Sequence, residues 1–249
     1  MHPAEGFFDE WAGLYDEYYD EQRIGDADFY VELARETNGT VLEVGCGTGR
    51  VYLDLLRAGV DAYGIDISRA MLTELERNAA EDDLKPCVRR ADMTAFEPKR
   101  TYDLIIVPFR TFLHNTTLAD RQAALRNIYD ALESGGRLVF NVFVPNFDII
   151  CETYGTPETQ VIEYDGEEYT VTEISRVVDE IEQVIETERT LKRDGTVISE
   201  SAFRLALVSK AEFELLFETT GWSDWTVYGG FDSEPLDESS QEMVWIAEK

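Results

Sequence analysis

Seven consecutive residues, Glu43-Val44-Gly45-Cys46-Gly47-Thr48-Gly49, constrain this chain more than any others. Glycines at alternate positions let a backbone turn sharply and approach a ligand with no Cβ in the way. Residues 40–44 read as a short apolar strand and 50–58 as a helix that Gly59 ends. The loop therefore leaves the carboxyl end of a strand and opens a helix, where open α/β sheets bind their ligands. A dinucleotide fingerprint, G-x-G-x-x-G, needs its third glycine at position 50, which is Arg50. Here the third glycine falls one residue earlier, and an acid, Glu43, stands two residues before the first.

The rest of the first 145 residues continues an α/β alternation. Strands are predicted at 61–65, weakly at 86–90, and at 104–107. Ser68 caps a helix running to about Ala79, and 118–132 is amphipathic. Ser134-Gly135-Gly136 turns the chain into a strand at 137–143. Strands separated by helices imply a parallel sheet covered on both faces. The pattern changes after Pro145. Segments 169–178, 181–191 and 197–207 are β-rich and too close together for crossover helices, so they are expected to be antiparallel, with Asp194-Gly195 as a hairpin turn. A capping box, Ser209-Lys210-Ala211-Glu212, opens a helix to about Thr220, and strands at 225–229 and 242–247 come after it. Three regions result: an N-terminal helical lid at 1–38, an α/β domain at 39–145 and 208–249, and an antiparallel insertion at 146–207. In the first region Phe7, Trp11, Tyr15 and Tyr18 recur at helical spacing and predict one aromatic face.

The pattern E-x-G-x-G-x-G resembles motif I of the class I S-adenosyl-L-methionine (SAM)-dependent methyltransferases. Further matches occur in order along the chain. Asp66, ending the second strand, resembles the acid that accepts both ribose hydroxyls. Asp92, in Ala91-Asp92-Met93, resembles the acid that holds the adenine amine, with Ile67, Met71 and Met93 sandwiching the ring. Residues 103–115 resemble the strand and loop that close the family's site, with Pro108 and Phe109 facing the methionine amine. The resemblance implies a doubly wound, Rossmann-like sheet of seven strands, mostly parallel with the last antiparallel. It also implies that SAM is the cofactor, held by Tyr15, Glu43, Gly45, Cys46, Gly47, Gly49, Asp66, Ile67, Met71, Asp92, Met93, Pro108 and Phe109.

Methyl transfer needs the acceptor aligned, and a general base where the acceptor arrives protonated. His114 is the one plausible base in the core region, or else a histidine that shapes its loop. Tyr18, with Tyr15, could cover a sulfonium, or pack its helix on the sheet. Arg176, Arg189 and Arg204 lie on neighbouring predicted strands, where pairing with Glu173, Glu186 or Glu188 is preferred to capture of an anion. Residues 107–110, Val-Pro-Phe-Arg, lack the N/D-P-P-Y/F motif of enzymes that methylate planar amines. No basic patch supports nucleic-acid binding. The expected acceptor is a small metabolite methylated at nitrogen or oxygen, by a monomer or homodimer. A non-catalytic SAM-binding regulatory or assembly protein is the second reading, and a nicotinamide oxidoreductase a distant third.

Charge sets the remaining expectations. The chain has 22 Lys and Arg against 51 Asp and Glu, a net charge of −29, and its acids spread along the whole length. The composition resembles cytosolic proteins of halophiles that keep molar salt inside the cell. At molar salt the Debye length falls to about 3 Å and self-repulsion fades. Dialysis from molar potassium chloride into dilute buffer should therefore unfold the protein, read by circular dichroism; a chain that stays folded and monomeric there overturns the halophile reading. Three widely spaced cysteines with no C-x-x-C, and two histidines, predict no metal site. No apolar run reaches the roughly 18–20 residues of a membrane span, and the start reads as no signal peptide, so a cytoplasmic protein is expected.

Overall fold

The computed structural model describes residues 3–19 and 25–249; the parts of the predicted N-terminal helical segment at 1–2 and 20–24 lie outside it. Seven strands form the larger sheet: β1 Thr40–Val44, β2 Asp61–Asp66, β3 Val88–Arg90, β4 Tyr102–Val107, β5 Leu132–Phe143, β10 Asp224–Tyr228 and β11 Glu242–Glu248. Their order is β10-β11-β5-β4-β1-β2-β3. Only β11 runs against its neighbours β5 and β10; the other pairs are parallel. This is the mostly parallel, doubly wound α/β sheet expected.

Its central strands are apolar on both faces, and successive residues feed opposite layers. Val41, Leu104 and Ile106 pack under α3 (Asp26–Thr37), α4 (Tyr52–Arg57) and α5 (Arg69–Glu81). Leu42, Val44, Ile105 and Val107 pack with α6 (Leu118–Ala131) and α8 (Lys210–Thr220). Ser68 caps α5 by accepting from Met71 N–H at 3.0 Å, and Ser209 caps α8 by accepting from Glu212 N–H at 3.2 Å.

The second sheet is a four-stranded antiparallel meander, β6 Glu158–Tyr164, β7 Glu167–Asp179, β8 Val184–Arg193 and β9 Thr196–Ala206. Two elements of the 146–207 region escape sequence reading: α7 (Phe147–Thr153), which buries no residue, and β6. Asp165-Gly166 and Asp194-Gly195 make its tight turns, all four residues at positive φ, as type I′ hairpins require. The three arginines pair across strands with the three acids expected, Arg176 with Glu188, Arg189 with Glu173 and Arg204 with Glu186.

The N-terminal segment lies between the two sheets. α1 (Pro3–Trp11) and α2 (Tyr15–Tyr19) flank a 3₁₀ turn at Ala12–Leu14. Phe7, Trp11 and Tyr18 pack on Ile162, Val171 and Leu191 of the small sheet. The single predicted aromatic face is corrected here. The tighter 3₁₀ turn rotates α2 relative to α1, and Tyr15 stands apart with Phe8 and Tyr19. Acids tie the segment to the larger sheet's layer. Glu5 pairs with Arg90, Asp9 accepts from Ser68 Oγ at 2.6 Å, and Asp16 accepts from Thr48 Oγ1 at 2.5 Å.

Candidate functional site

Two cavities meet where β1, β2 and β4 end. The inner one, about 70 Å³, lies against Val44, Gly45, Gly47, Asp66 and Met93. The outer one, about 380 Å³, lies beneath the small sheet, with Glu173, Ser175, Thr187 and Phe203 in its wall. Phe8, Tyr15, Thr111 and His114 line both.

The glycine loop forms one wall of the inner cavity for two different reasons. Gly45 has φ 76° and its N–H donates to Ile65 O at 2.7 Å; a Cβ there would collide with the Thr111 side chain. Gly47 has φ 53°, yet a Cβ on it would meet nothing within 4 Å. Packing explains the first glycine, and positive φ beside open space marks the second.

Asp66 holds this loop in place. Its Oδ2 accepts from Gly47 N–H and its Oδ1 from Ser68 N–H, each at 2.8 Å. Burial pushes its carboxyl up to about 6, against the opposing pull of those N–H groups. Asp92 also lines the cavity, its Oδ1 accepting from Thr94 N–H at 2.8 Å. Ile67, Met71 and Met93 supply apolar walls. Asn115, absent from the predicted set, is buried here and donates to Phe112 O at 2.9 Å and Met93 Sδ at 3.0 Å.

Of the other expected site residues, His114 and Tyr15 line both cavities. Phe109 lines only the outer one. Tyr18 lines neither: it is buried against Trp11 and the Arg189 guanidinium, and Tyr19 faces the outer cavity instead. Cys46 is buried beside Gly64, and Gly49 closes on Leu53; neither lines these two cavities. Pro108 bounds neither cavity; its carbonyl accepts from Thr111 Oγ1 at 2.7 Å. Glu43 is buried behind the loop, its Oε2 without a hydrogen-bond partner, and burial holds its carboxyl well above the usual range.

The loop after β4 is held by groups that sequence reasoning missed. Phe109 and Arg110 are at φ 56° and 64°, left-handed for non-glycine residues and costly unless the surroundings enforce it. Asn141, buried on β5, does so: its Oδ1 accepts from Phe109 N–H at 2.8 Å and Tyr30 Oη at 3.0 Å, while its Nδ2 donates to Glu242 Oε2 at 2.9 Å. Glu242 in turn accepts from Arg110 Nε at 2.9 Å. A carboxamide and a carboxylate inside two apolar strands were the available signal, since a buried polar side chain needs partners.

Comparison with known proteins fits this geometry. Residues 41–136 match the family model described as a methyltransferase domain. An uncharacterized methyltransferase of Bacillus mycoides is 30% identical over 142 residues, covering 54% of this chain and 65% of the relative. One from Bacillus cereus is 31% identical over 144 residues with the same coverage. The chain thus spans about 65% of the length of these curated relatives. Among solved structures, a SAM-dependent methyltransferase from Clostridium acetobutylicum superposes with TM-score 0.77 at 16% identity, covering 97% of this chain and 98% of that one. A sugar N-methyltransferase from a Streptoalloteichus species gives 0.73 at 20% identity, with 94% and 92% covered. A SAM-bound amino pentose methyltransferase from Micromonospora echinaspora gives 0.72 at 17%, with 95% and 97% covered. At these identities the structures speak for the fold. Residues 41–136 are thus similar to a methyltransferase domain, and the fold is similar to that of solved SAM-dependent methyltransferases.

Proposed function

We propose that the protein transfers the methyl group of SAM to a small acceptor, with the cofactor's nucleoside seated against the glycine loop and Asp66 and the acceptor in the outer cavity. The observation that carries this reading is the shared wall. A cavity built on the glycine loop and Asp66 opens past Phe8, Tyr15, Thr111 and His114 to a larger one beneath the small sheet. The open space beside Gly47 and the Asp66 carboxylate suit a ribose, and Ile67, Met71 and Met93 suit an adenine ring. Small-molecule acceptors are also named for structural neighbours, an amino pentose and a sugar nitrogen.

When bound, SAM supplies a methyl group already activated by a positive sulfur. The chain's residues then bind, align and remove a proton. Asp66 accepts from the ribose hydroxyls, and Asp92 from the adenine amine. Tyr15, in the wall between the cavities, offers an aromatic face toward positive charge. His114 reaches both cavities and takes the acceptor's proton. The small sheet and α7 roof the acceptor, and α1 and α2 cover the cofactor.

Binding is the first test. SAM or S-adenosylhomocysteine at about 100 times its dissociation constant should add roughly 2.7 kcal/mol to stability. A melting curve unmoved by either ligand, in molar salt, sinks the cofactor reading. Asp66→Ala should weaken binding by about 1–3 kcal/mol, because charge-assisted bonds to the ribose are lost.

The raised carboxyl gives that contact a pH signature. Ribose hydroxyls donate to the ionised carboxylate, and Asp66 takes up a proton at about 6 in the free protein. S-adenosylhomocysteine affinity should be flat above pH 7 and fall below pH 6, approaching about tenfold per unit. Asp66→Asn should bind more weakly and without this slope. Calorimetry from pH 5 to 8 checks it, and equal slopes in both proteins place the titrating group elsewhere.

A further inference from the structure

We propose that the outer cavity selects acceptors carrying a protonated amine, and that Glu173 is its specificity-determining residue. The inference rests on the reading of that cavity as the acceptor site.

Glu173 is the one carboxylate in the wall of the outer cavity, among the described residues. Its placement is built from behind. Arg189, one strand away and directly opposite in register, is only 1% exposed and lines neither cavity. Arg189 Nε donates to Glu173 Oε1 at 2.6 Å, and Nη2 donates to Tyr19 Oη at 2.8 Å and also pairs with Glu173. The guanidinium is boxed by Trp11 at 4.4 Å, Tyr18 at 4.1 Å and Phe7 at 5.0 Å.

A buried ion pair is a poor device for stability alone, because well-packed apolar residues do as well or better. What this one achieves is orientation. It fixes a carboxylate and a phenol at the cavity wall while keeping the positive charge behind aromatic rings. The cavity's own cation is already committed: Arg110 is paired with Glu242, itself buried. Glu173 is paired in the same way with Arg189, so the aromatic rings of the wall decide between an anion and a cation. A cation meets Glu173 and the aromatic rings of Tyr15, Tyr19, Phe109 and Phe203, which favour positive charge.

The test uses the full chain with SAM and a panel of aliphatic amines and amino sugars. Each is paired with its N-acetyl and hydroxyl analogues, and a matched set of carboxylates is included. Release of S-adenosylhomocysteine is the readout. Turnover is expected only with members that keep a free amine. Glu173→Gln, which retains a hydrogen-bonding partner for Arg189, should raise KM roughly 10–100-fold while the S-adenosylhomocysteine dissociation constant stays unchanged. Glu173→Asp should recover part of the loss. Arg189→Lys, a change at a positioning residue, should raise KM more than it lowers kcat. Equal turnover of neutral or anionic partners, an unchanged KM in Glu173→Gln, or no turnover of any amine by protein that binds S-adenosylhomocysteine would each overturn the proposal. Failure to bind S-adenosylhomocysteine would instead overturn the methyltransferase reading beneath it.

Discussion

Replacing Arg50 by leucine is expected to cost about 3–5 kcal/mol of stability, the usual penalty for stranding one partner of a buried ion pair. Arg50 comes directly after the glycine loop and reaches Asp26, the fully buried first residue of α3, through two bonds of 2.5 and 2.7 Å. Its guanidinium also lies 4.8 Å from the centre of the Phe109 ring. Among the charges around Glu43, Arg50 is the one that eases that carboxylate's burial, while Asp26, Asp66 and Asp54 oppose it. Arg50→Leu leaves two buried acids without this cation. For a chain of this size the melting temperature should fall by roughly 6–20 °C. The double variant Asp26→Leu/Arg50→Leu removes both charges of the pair and should recover most of the loss. Thermal unfolding of the wild type, both single variants and the double variant, at fixed salt, measures the coupling. A double variant as unstable as Arg50→Leu alone would mean that lost packing, not a stranded charge, sets the cost.

The same residue shows where sequence reading stops. In the sequence, Arg50 matters only because it is not glycine, which excludes a dinucleotide fingerprint. Its partner lies 24 positions earlier, on a helix whose position no local pattern sets. The inner cavity was legible because its parts occur in order at strand ends. Gly45, Gly47, Asp66, Ile67, Met71, Asp92 and Met93 all line it. The cross-strand pairs Arg176–Glu188, Arg189–Glu173 and Arg204–Glu186 were legible for a similar reason: once strands are antiparallel, register decides which side chains meet. The Asn141–Glu242 support beneath the loop at 108–111 was not, because its two residues are 101 positions apart.

Tyr18 shows a second kind of limit. A uniform helical period puts it on one face with Phe7, Trp11 and Tyr15. The 3₁₀ turn at Ala12–Leu14 breaks that period and brings Tyr15 and Tyr19 to the cavity wall, with Tyr18 behind it. The small sheet illustrates a third. β6 buries only Ile162 along its length, so it carries almost no alternation to detect. The Asp165-Gly166 turn beside it offered the same signal as Asp194-Gly195, and pairing that turn with the 161–164 run before it would have found the strand.

His114→Ala should lower turnover by about 10²–10⁴, the usual scale for loss of a general base, while cofactor affinity changes little. The residue closes the 3₁₀ turn Thr111–His114 and lies in the wall common to both cavities. Its ring stands edge-on to Phe8 at 5.2 Å and tilted against Phe203 at 5.8 Å. Those contacts aim the imidazole across the boundary where an acceptor and an activated methyl group would meet. An amine recognised as a cation must lose a proton before its lone pair can attack, so the proposed amine selectivity makes a base more necessary. The same contacts mean that alanine also removes packing, so two controls separate the roles. Activity is normalised to folded protein, and His114→Gln keeps polarity and much of the volume without a group that can take up the acceptor's proton. A base predicts that both variants are slow per folded molecule while they bind S-adenosylhomocysteine as the wild type does. A purely structural histidine predicts a lower melting temperature, wild-type turnover per folded molecule, and a near-normal glutamine variant. In that case the acceptor gives up its proton to solvent before binding, and catalysis rests on alignment by the cavity walls.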